Sequence, residues 1–182
     1  MAKSGQAQPI EIRVDEVSQL FNTLDPFPFH ERDLDGDAEE YIVGWAREVA
    51  HQGDLSIVVH LPPGETASEA AKGLQASLSR FFAYRADVIG RDVNELFRVG
   101  RMSLLVGAAV LGLCLAGGQA IASWATGTYL GRFMGESLVI LGWVANWRPI
   151  EIFLYDWWPI LRRRNLYRRL AAATVTIKPN GA

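Results

Sequence analysis

The chain has 182 residues, a formal net charge of −2 and a single cysteine, Cys114, which excludes an internal disulfide. The charge is unevenly divided, because residues 1–79 carry 5 basic and 14 acidic side chains and residues 80–182 carry 13 and 6. The basic residues flank two long apolar stretches, so we interpret them as contacts to anionic lipid headgroups and expect no nucleic-acid partner.

The start of the chain predicts a mobile N-terminus, 1–8, followed by a small cytoplasmic α+β domain, 9–64. The first residues have no apolar core, so we expect no signal peptide. Residues 10–14 alternate between apolar and charged side chains, which predicts a strand with one wet face. Residues 55–61 are almost entirely apolar, which is typical of a central, covered strand.

A helix is expected between these two strands. It should begin near Asp37, which has capping-box spacing with Glu40, and should end at Gly53. Helical spacing predicts one buried face, made of Ala38, Tyr41, Ile42, Trp45, Ala46 and Val49.

Residues 65–101 predict a long helix, or stalk, that leads to the membrane. Thr66 and Glu69 have capping-box spacing at its start, and Gly90 is the expected break. Its interrupted apolar stripe fits either a helix laid on the small domain or an oligomer contact, and the sequence leaves both open.

The middle of the chain predicts two transmembrane helices, 102–124 and 129–147, joined by an external turn, 125–128. The first span has no charged residue, and a helix of about 20 apolar residues crosses the hydrocarbon core. The second span carries only Arg132 and Glu136, which are four residues apart and can pair. The alternative is a buried helical hairpin in a soluble protein; we favour the membrane.

Small residues in both spans indicate close helix packing. Their spacing fits either packing within the hairpin or packing between chains, and the sequence does not separate these. The candidate packing residues are Ala108, Gly112, Ala116, Gly131 and Gly135.

The arginines predict the orientation of the hairpin. They precede the first span and follow the second, whereas residues 125–128 contain none. Because basic residues are retained on the cytoplasmic side, we expect both termini in the cytoplasm and the protein in a bacterial inner (plasma) membrane.

Residues 148–170 predict an amphipathic basic helix at the membrane interface. Tryptophan and tyrosine prefer the headgroup level, and arginines lie over lipid phosphates. The candidate interface residues are Trp143, Trp147, Arg148, Glu151, Tyr155, Asp156, Trp157, Trp158, Arg162, Arg163 and Arg164.

The last residues, 171–182, predict a strand that returns to the cytoplasmic domain. The expected fold is therefore α+β: a two-helix transmembrane hairpin with a small three-stranded α/β cytoplasmic domain built from both ends of the chain. Residues 55–61 would form its middle strand.

Six residues are candidates for binding a ligand or partner. Histidine and carboxylates could contact a ligand. Two phenylalanines next to prolines are expected to pack under the domain or on a partner, because they would have no role in solvent. The acidic run from Asp33 fails the calcium-loop pattern, because glycine falls at its fourth position rather than its sixth. We predict no metal site and no cofactor. The six candidates are Phe27, Phe29, His30, Glu31, Asp33 and His60.

Two segments carry a family resemblance, HERDLDGDAEEYIVGWARE at 30–48 and LGWVANWRPIEIFLYDWWP at 141–159. They resemble an uncharacterised family of small bacterial inner-membrane proteins, and the similarity extends from Pro26 to Leu170. The family has no assigned activity, so the resemblance implies a location and no mechanism.

These patterns favour a non-enzymatic membrane protein whose cytoplasmic domain self-associates or docks another membrane or cytoplasmic protein. The alternative is a subunit of an oligomeric channel or transporter, because ionisable groups near a membrane often mark a pathway. The residues for that alternative are Glu136, Arg148, Glu151 and Asp156. An enzyme that uses His30 or His60 is the third and least favoured hypothesis.

Overall fold

The computed structural model describes residues 9–26, 32–49, 54–124 and 127–180. Within these ranges the elements are strand β1 (Ile10–Arg13), a short 3₁₀ helix (Val17–Leu20), helix α1 (Gly36–Val49), strand β2 (Ser56–Leu61), helix α2 (Glu69–Trp124), helix α3 (Tyr129–Ala145), helix α4 (Trp147–Glu151), a π-helical turn (Ile152–Asp156), helix α5 (Trp157–Ala171) and strand β3 (Thr174–Pro179).

The chain divides into two compact units. The sheet unit comprises Met1–Ile89 and Arg162–Ala182, and the helical unit comprises Gly90–Leu161. Helices α2 and α5 each contribute residues to both units.

The sheet unit contains one parallel sheet in the order β1-β2-β3. Ile57 in the middle strand is paired with Ile10 on one side and with Val175 on the other. This order confirms the prediction that residues 55–61 form the middle strand. Since β3 follows α5, the two ends of the chain contribute to the same sheet.

Burial is complete on only one face of the sheet. Ile57, Val59 and Leu61 have no exposed surface, whereas Ser56 and His60 at the alternating positions are half-buried. Side chains alternate between faces along a strand, and Val58 on the second face is only 6% exposed, so that face is covered at its centre and polar on either side of it.

Side chains of α2 form hydrogen bonds with the backbone of the edge strand β3 and of the residues just before it. Gln75 accepts the backbone N–H of Val175 at 2.6 Å and donates to the carbonyl of Ala173 at 3.1 Å. Ser79 donates to the carbonyl of Ala171 at 2.7 Å. These bonds satisfy backbone groups where α5 ends and the strand begins.

Both predicted capping boxes are wrong. The carboxylate of Asp35, rather than that of Asp37, caps α1 by accepting the N–H of Asp37 at 3.0 Å. The hydroxyl of Ser68, rather than that of Thr66, caps α2 by accepting the N–H of Ala71 at 3.1 Å. Several capping residues compete at each helix start, and the incoming path of the chain selects one of them.

The predicted buried face of α1 is correct for Ile42, Ala46 and Val49, whereas Ala38 is half-buried. Ile42 and Ala46 are fully buried, but Tyr41 is 46% exposed and Trp45 is 41% exposed. The aromatic side chains lie at the margin of the apolar stripe, and the Tyr41 hydroxyl donates to the carbonyl of Glu11 at 3.2 Å.

Helix α2 is continuous from Glu69 to Trp124, so the predicted break at Gly90 is wrong. A glycine inside a helix costs about 1 kcal/mol relative to alanine. Ile89 and Val93 on either side of Gly90 are each only 7% exposed, so packing of the helix rather than intrinsic propensity offsets that cost.

In the helical unit, α2 and α3 pack against each other in antiparallel order. Residues that come later in α2 contact residues that come earlier in α3. The close approaches are Gly107 with Asn146, Leu111 and Cys114 with Gly142, Gly117 with Leu138, and Gly118 with Gly135.

Two helical stretches, Glu69–Trp124 and Tyr129–Ala171, contain segments long and apolar enough to cross a membrane. Only 17% of the apolar segment is buried in the first stretch and 22% in the second. At the predicted external turn, residues 125 and 126 lie outside the described residues. Gly127 has a φ of +88°, which glycine adopts without strain.

Candidate functional site

The most developed polar site in the sheet unit is a cluster that joins α1, α2 and α5. Arg85 donates from Nε to Glu39 Oε1 at 3.2 Å and from Nη2 to Oε2 at 2.7 Å. The Tyr167 hydroxyl donates to Oε1 at 2.6 Å. A two-pronged guanidinium–carboxylate pair is among the strongest polar contacts in proteins, so this cluster fixes three helices to one another.

Burial and charge shift the pKa values of all three groups. Desolvation alone would raise the pKa of Glu39, but the hydrogen bonds from Arg85 and Tyr167 outweigh it and the pKa is lowered. The hydrogen bond to Glu39 raises the pKa of Arg85. Burial, and then the hydrogen bond to Glu39, raises the pKa of Tyr167. The cluster is therefore a carboxylate, a guanidinium and a neutral phenol at pH 7.

A groove of about 290 Å³ opens beside this cluster. The guanidinium carbon of Arg163 lies 5.7 Å from the centre of the Tyr167 ring, within cation–π range. Backbone from α1 forms one wall, where two glycines leave space. The lining residues are Gly36, Glu39, Glu40, Val43, Gly44, Arg47, Arg85, Arg163 and Tyr167.

The cluster was not predicted as a site from the sequence. Glu39 lies in an acidic run that we interpreted as a helix start, and Arg163 was assigned to the membrane interface. Arg85 lies 46 residues from Glu39 and Tyr167 lies 128 residues from it, so no local spacing relates them. The sequence offered one signal. Arg85 lies on the side of the long helix that carries its apolar stripe, and the helix α1 is rich in carboxylates.

Four of the six predicted binding residues, namely Phe27, Phe29, His30 and Glu31, lie outside the described residues. Asp33 is exposed, and its backbone N–H donates to the carboxylate of Asp25 at 2.9 Å. Asp33 therefore belongs to a loop rather than to the groove.

His60 lies on the polar face of the sheet. Its Nε2 atom is 3.5 Å from the carboxylate of Glu11 on the neighbouring strand, and the His60 side chain is 20% exposed. This is one histidine beside one carboxylate. Across the described ranges, no group of three or more histidine, cysteine, aspartate or glutamate residues could hold a metal ion.

The predicted interface residues Arg148, Glu151 and Asp156 form one ion-pair cluster in the helical unit. Arg148 Nη1 lies 2.9 Å from Glu151 and 3.3 Å from Asp156. In a regular α-helix, residues eight apart lie about 80° apart around the axis. The π-helical turn at Ile152–Asp156 inserts an extra residue and brings Asp156 round to Arg148.

The same pairing bears on the transport hypothesis. Arg132 and Glu136 also pair, at 3.9 Å, so every ionisable residue proposed for a pathway has an opposite charge beside it. Glu136 is thus neutralised by Arg132, and Arg148 is shared between the carboxylates of Glu151 and Asp156.

The predicted interface aromatics differ in exposure. Trp157 is half-buried, donates its indole N–H to the carbonyl of Phe153 at 2.9 Å and lies against Phe97. Arg162 is exposed, and Arg164 is half-buried. The remaining members are largely exposed: Trp143, Trp147, Tyr155 and Trp158.

The predicted packing row on α2 does not lie at the contact between α2 and α3. Ala108, Gly112 and Ala116 are exposed, and a Cβ added at Gly112 would meet nothing within 4 Å. The contact uses Gly107 and Gly118 from the adjacent face of α2 instead. The exposed row leaves packing against a neighbouring chain as the open alternative.

Of the predicted glycines of α3, Gly135 lies at this contact. Gly131 is buried, and a Cβ added at Gly118 would lie 3.3 Å from the Gly135 carbonyl oxygen. Sequence reasoning missed Asn146, which is 7% exposed and donates Nδ2 to the carbonyls of Gly107 and Gly142, both at 3.0 Å. A buried amide in an apolar helix pair was the signal that could have identified it.

The chain was compared with family models, with curated proteins and with solved structures. None of the three comparisons found a match. The resemblance to an uncharacterised inner-membrane family therefore stays a prediction, and function has to be argued from the residues themselves.

The sheet unit and the helical unit present surfaces of different chemistry. The sheet unit presents a charged groove and exposed aromatic side chains on α1, which suit recognition of another molecule. The helical unit presents an apolar surface that water solvates poorly.

Proposed function

We propose that the chain is a non-enzymatic integral membrane protein of the bacterial inner membrane, whose sheet unit acts in self-assembly or in docking a partner. The proposal has two parts. The membrane location rests on the surface of the helical unit, and the docking role rests on the surface of the sheet unit.

The observation that carries the membrane location is the exposure of large apolar side chains on α2 and α3. Leu113 is 74% exposed and Leu105 is 68% exposed, and on the other helix Ile140 is 64% exposed. A core helix of a soluble protein would be mostly buried, whereas these apolar segments are 17% and 22% buried. Lipid is the solvent that accepts such a surface at no cost.

The arginines support the proposed orientation. Arg91, Arg98 and Arg101 precede the first apolar segment, and Arg148 follows the second. Retention of basic residues on the cytoplasmic side then leaves both termini, and the sheet unit with them, in the cytoplasm.

The docking role is supported by exposed aromatics on the sheet unit. Tyr41 and Trp45 lie four residues apart on α1, with ring centres 6.4 Å apart. Both are more than two-fifths exposed. Tyrosine and tryptophan are enriched where interfaces bind most strongly, because they bury a large area and keep a polar group.

Replacement of Trp45 tests the docking role. The full chain in detergent, examined by sedimentation equilibrium, should be an oligomer, and Trp45→Ser should lower its association constant at least tenfold. Tyr84→Ser is the matched control, because Tyr84 is an aromatic on α2 of the same unit that is even more exposed (55%) than Trp45 (41%). It should leave association unchanged.

The docking role would be contradicted by a wild-type chain that stays monomeric at every concentration and that forms no crosslink through position 45 in native membranes. The membrane location would survive that result, because it depends on the helical unit alone.

A further inference from the structure

The groove beside the Glu39–Arg85–Tyr167 cluster has more positive charge than the cluster uses. Both oxygens of Glu39 are occupied by Arg85 and Tyr167. Within the part of the chain that the structure describes, Arg47 and Arg163 form no salt bridge, although the charge of Arg163 acts on Glu39 and its side chain hydrogen-bonds to Tyr167. The groove lining holds three arginines and two glutamates, so its net charge is +1.

The groove also has room for a ligand. A Cβ added at Gly36 or at Gly44 would meet no atom within 4 Å, so this wall of α1 is open. A volume of about 290 Å³ accommodates a phosphate group together with a few carbon atoms.

We propose that this groove binds a phosphate monoester, with Arg47 and Arg163 as its main contacts. A phosphate monoester carries a charge of about −1.5 to −2 at pH 7 and three strong acceptor oxygens, so it can engage both arginines at once. The planar guanidinium fork also fits the spacing of phosphate oxygens.

Arg85 contributes a third donor. Its bonds to Glu39 use Nε and Nη2, so Nη1 remains for a ligand oxygen. Glu39 and Tyr167 act as positioning residues, because they hold Arg85, and the ring of Tyr167 supports Arg163. Glu40 lines the same groove and is exposed, so its charge opposes any anion that enters.

The proposal is tested by calorimetric titration of the full chain in phosphatidylcholine nanodiscs with inorganic phosphate and with glycerol 3-phosphate. The wild type should bind glycerol 3-phosphate. Arg47→Gln and Arg163→Gln should each weaken binding at least tenfold, and Glu40→Gln should strengthen it. Arg168→Gln is the matched control, because it removes the same charge from an exposed position of α5 outside the groove.

The phosphate can be part of a soluble molecule or of a lipid headgroup, and a second arm distinguishes these sources. Nanodiscs with phosphatidic acid, a monoester, are compared with nanodiscs that hold the same amount of phosphatidylglycerol, a diester. If only phosphatidic acid weakens binding of glycerol 3-phosphate, the site takes a lipid headgroup. Equal binding in both assigns it to a soluble monoester.

Two results would overturn the proposal. One is a wild-type chain that binds neither inorganic phosphate nor glycerol 3-phosphate in any of the nanodiscs. The other is an equal loss of binding in Arg168→Gln and Arg47→Gln, which would show a diffuse attraction to positive charge rather than a site.

Discussion

Glu39 shows how one carboxylate connects parts of the sheet unit that are far apart in the sequence. It accepts bonds from Arg85 on α2 and from Tyr167 on α5, and its own side chain is only 13% exposed. A carboxylate in that environment stabilises the fold as an anion and destabilises it once protonated.

Glu39→Gln should therefore lower the free energy of unfolding by about 2 kcal/mol at pH 7, because hydrogen bonds to a charged group are worth about 1.5–3 kcal/mol. The folded-state pKa of Glu39 is lowered, so its contribution is present above about pH 4.3 and is lost as the pH falls below it. The wild type should lose stability in acid over that range, and the variant should lose less. Chemical denaturation of the full chain at a series of pH values measures both.

Glu40→Gln is the control for this measurement, because Glu40 is the exposed neighbour on the same helix. It should keep the acid dependence of the wild type. Parallel acid limbs for Glu39→Gln and the wild type would show that the cluster does not control stability.

The pKa of Tyr167 is raised, so its contribution has the opposite pH dependence. It is present below about pH 10, the usual pKa of tyrosine, and is lost as the pH rises above it. Tyr167→Phe should flatten the alkaline limb of the stability curve and leave the acid limb in place. An alkaline limb that is unchanged in Tyr167→Phe would argue against a bond between the phenol and Glu39.

Asn146 has a comparable role in the helical unit, where its amide bridges the carbonyls of Gly107 and Gly142. Asn146→Leu should lower stability by about 1 kcal/mol, since hydrogen bonds between membrane helices average about 0.6 kcal/mol and reach about 1.7. Asn94→Leu, at an exposed position of the same unit, is the control. Unfolding in detergent measures both variants, and equal stabilities would contradict the bridging role.

The contact between α2 and α3 depends on which face of α2 turns toward its neighbour. A Cβ added at Gly142 would lie 3.1 Å from the Cβ of Cys114 and from the Cα of Leu111, which is too close without a shift of backbone. At Gly112 the same Cβ would meet nothing. Two glycines in similar helices thus have different roles.

Gly142→Ala should therefore destabilise the helical unit, whereas Gly112→Ala should leave its stability unchanged or raise it through better helix propensity, by up to about 1 kcal/mol. Thermal unfolding of the full chain in detergent, with both variants side by side, measures the difference. An equal loss in both would mean that Gly112 lies at a helix contact after all.

Strands and apolar helices were predictable because their signals are local. Alternation in residues 10–14 and the apolar run at 55–61 identified two strands, and hydropathy alone located the apolar segments of α2 and α3. The packing row on α2 was not predictable. Helix α2 carries small residues on two adjacent faces, and only the folded structure shows that Gly107 and Gly118 form the contact with α3.

The groove was beyond the sequence for the same reason. Glu39, Arg85 and Tyr167 come from three helices, and sequence separations of 46 and 128 residues leave no local spacing that relates them. The π-helical turn was also unpredicted, because no local signal shows that a helix accommodates one extra residue. Of the predicted binding residues, His60 lies on the polar face of the sheet, apart from the groove lining.

Taken as one molecule, the chain combines a charged sheet unit with an apolar helical unit. In the proposed membrane protein, lipid rather than protein or water surrounds the exposed leucines of α2. A spin label at position 113, in a Cys114→Ala background, tests this directly through its collisions with oxygen and with a polar nickel complex in bilayers.

Position 84 on the same helix is the comparison, because Tyr84 is exposed in the sheet unit. We expect a label at 113 to collide mainly with oxygen, which dissolves in lipid, and a label at 84 to collide mainly with the nickel complex, which stays in water. A label at 113 that is as accessible to nickel as the label at 84 would contradict it.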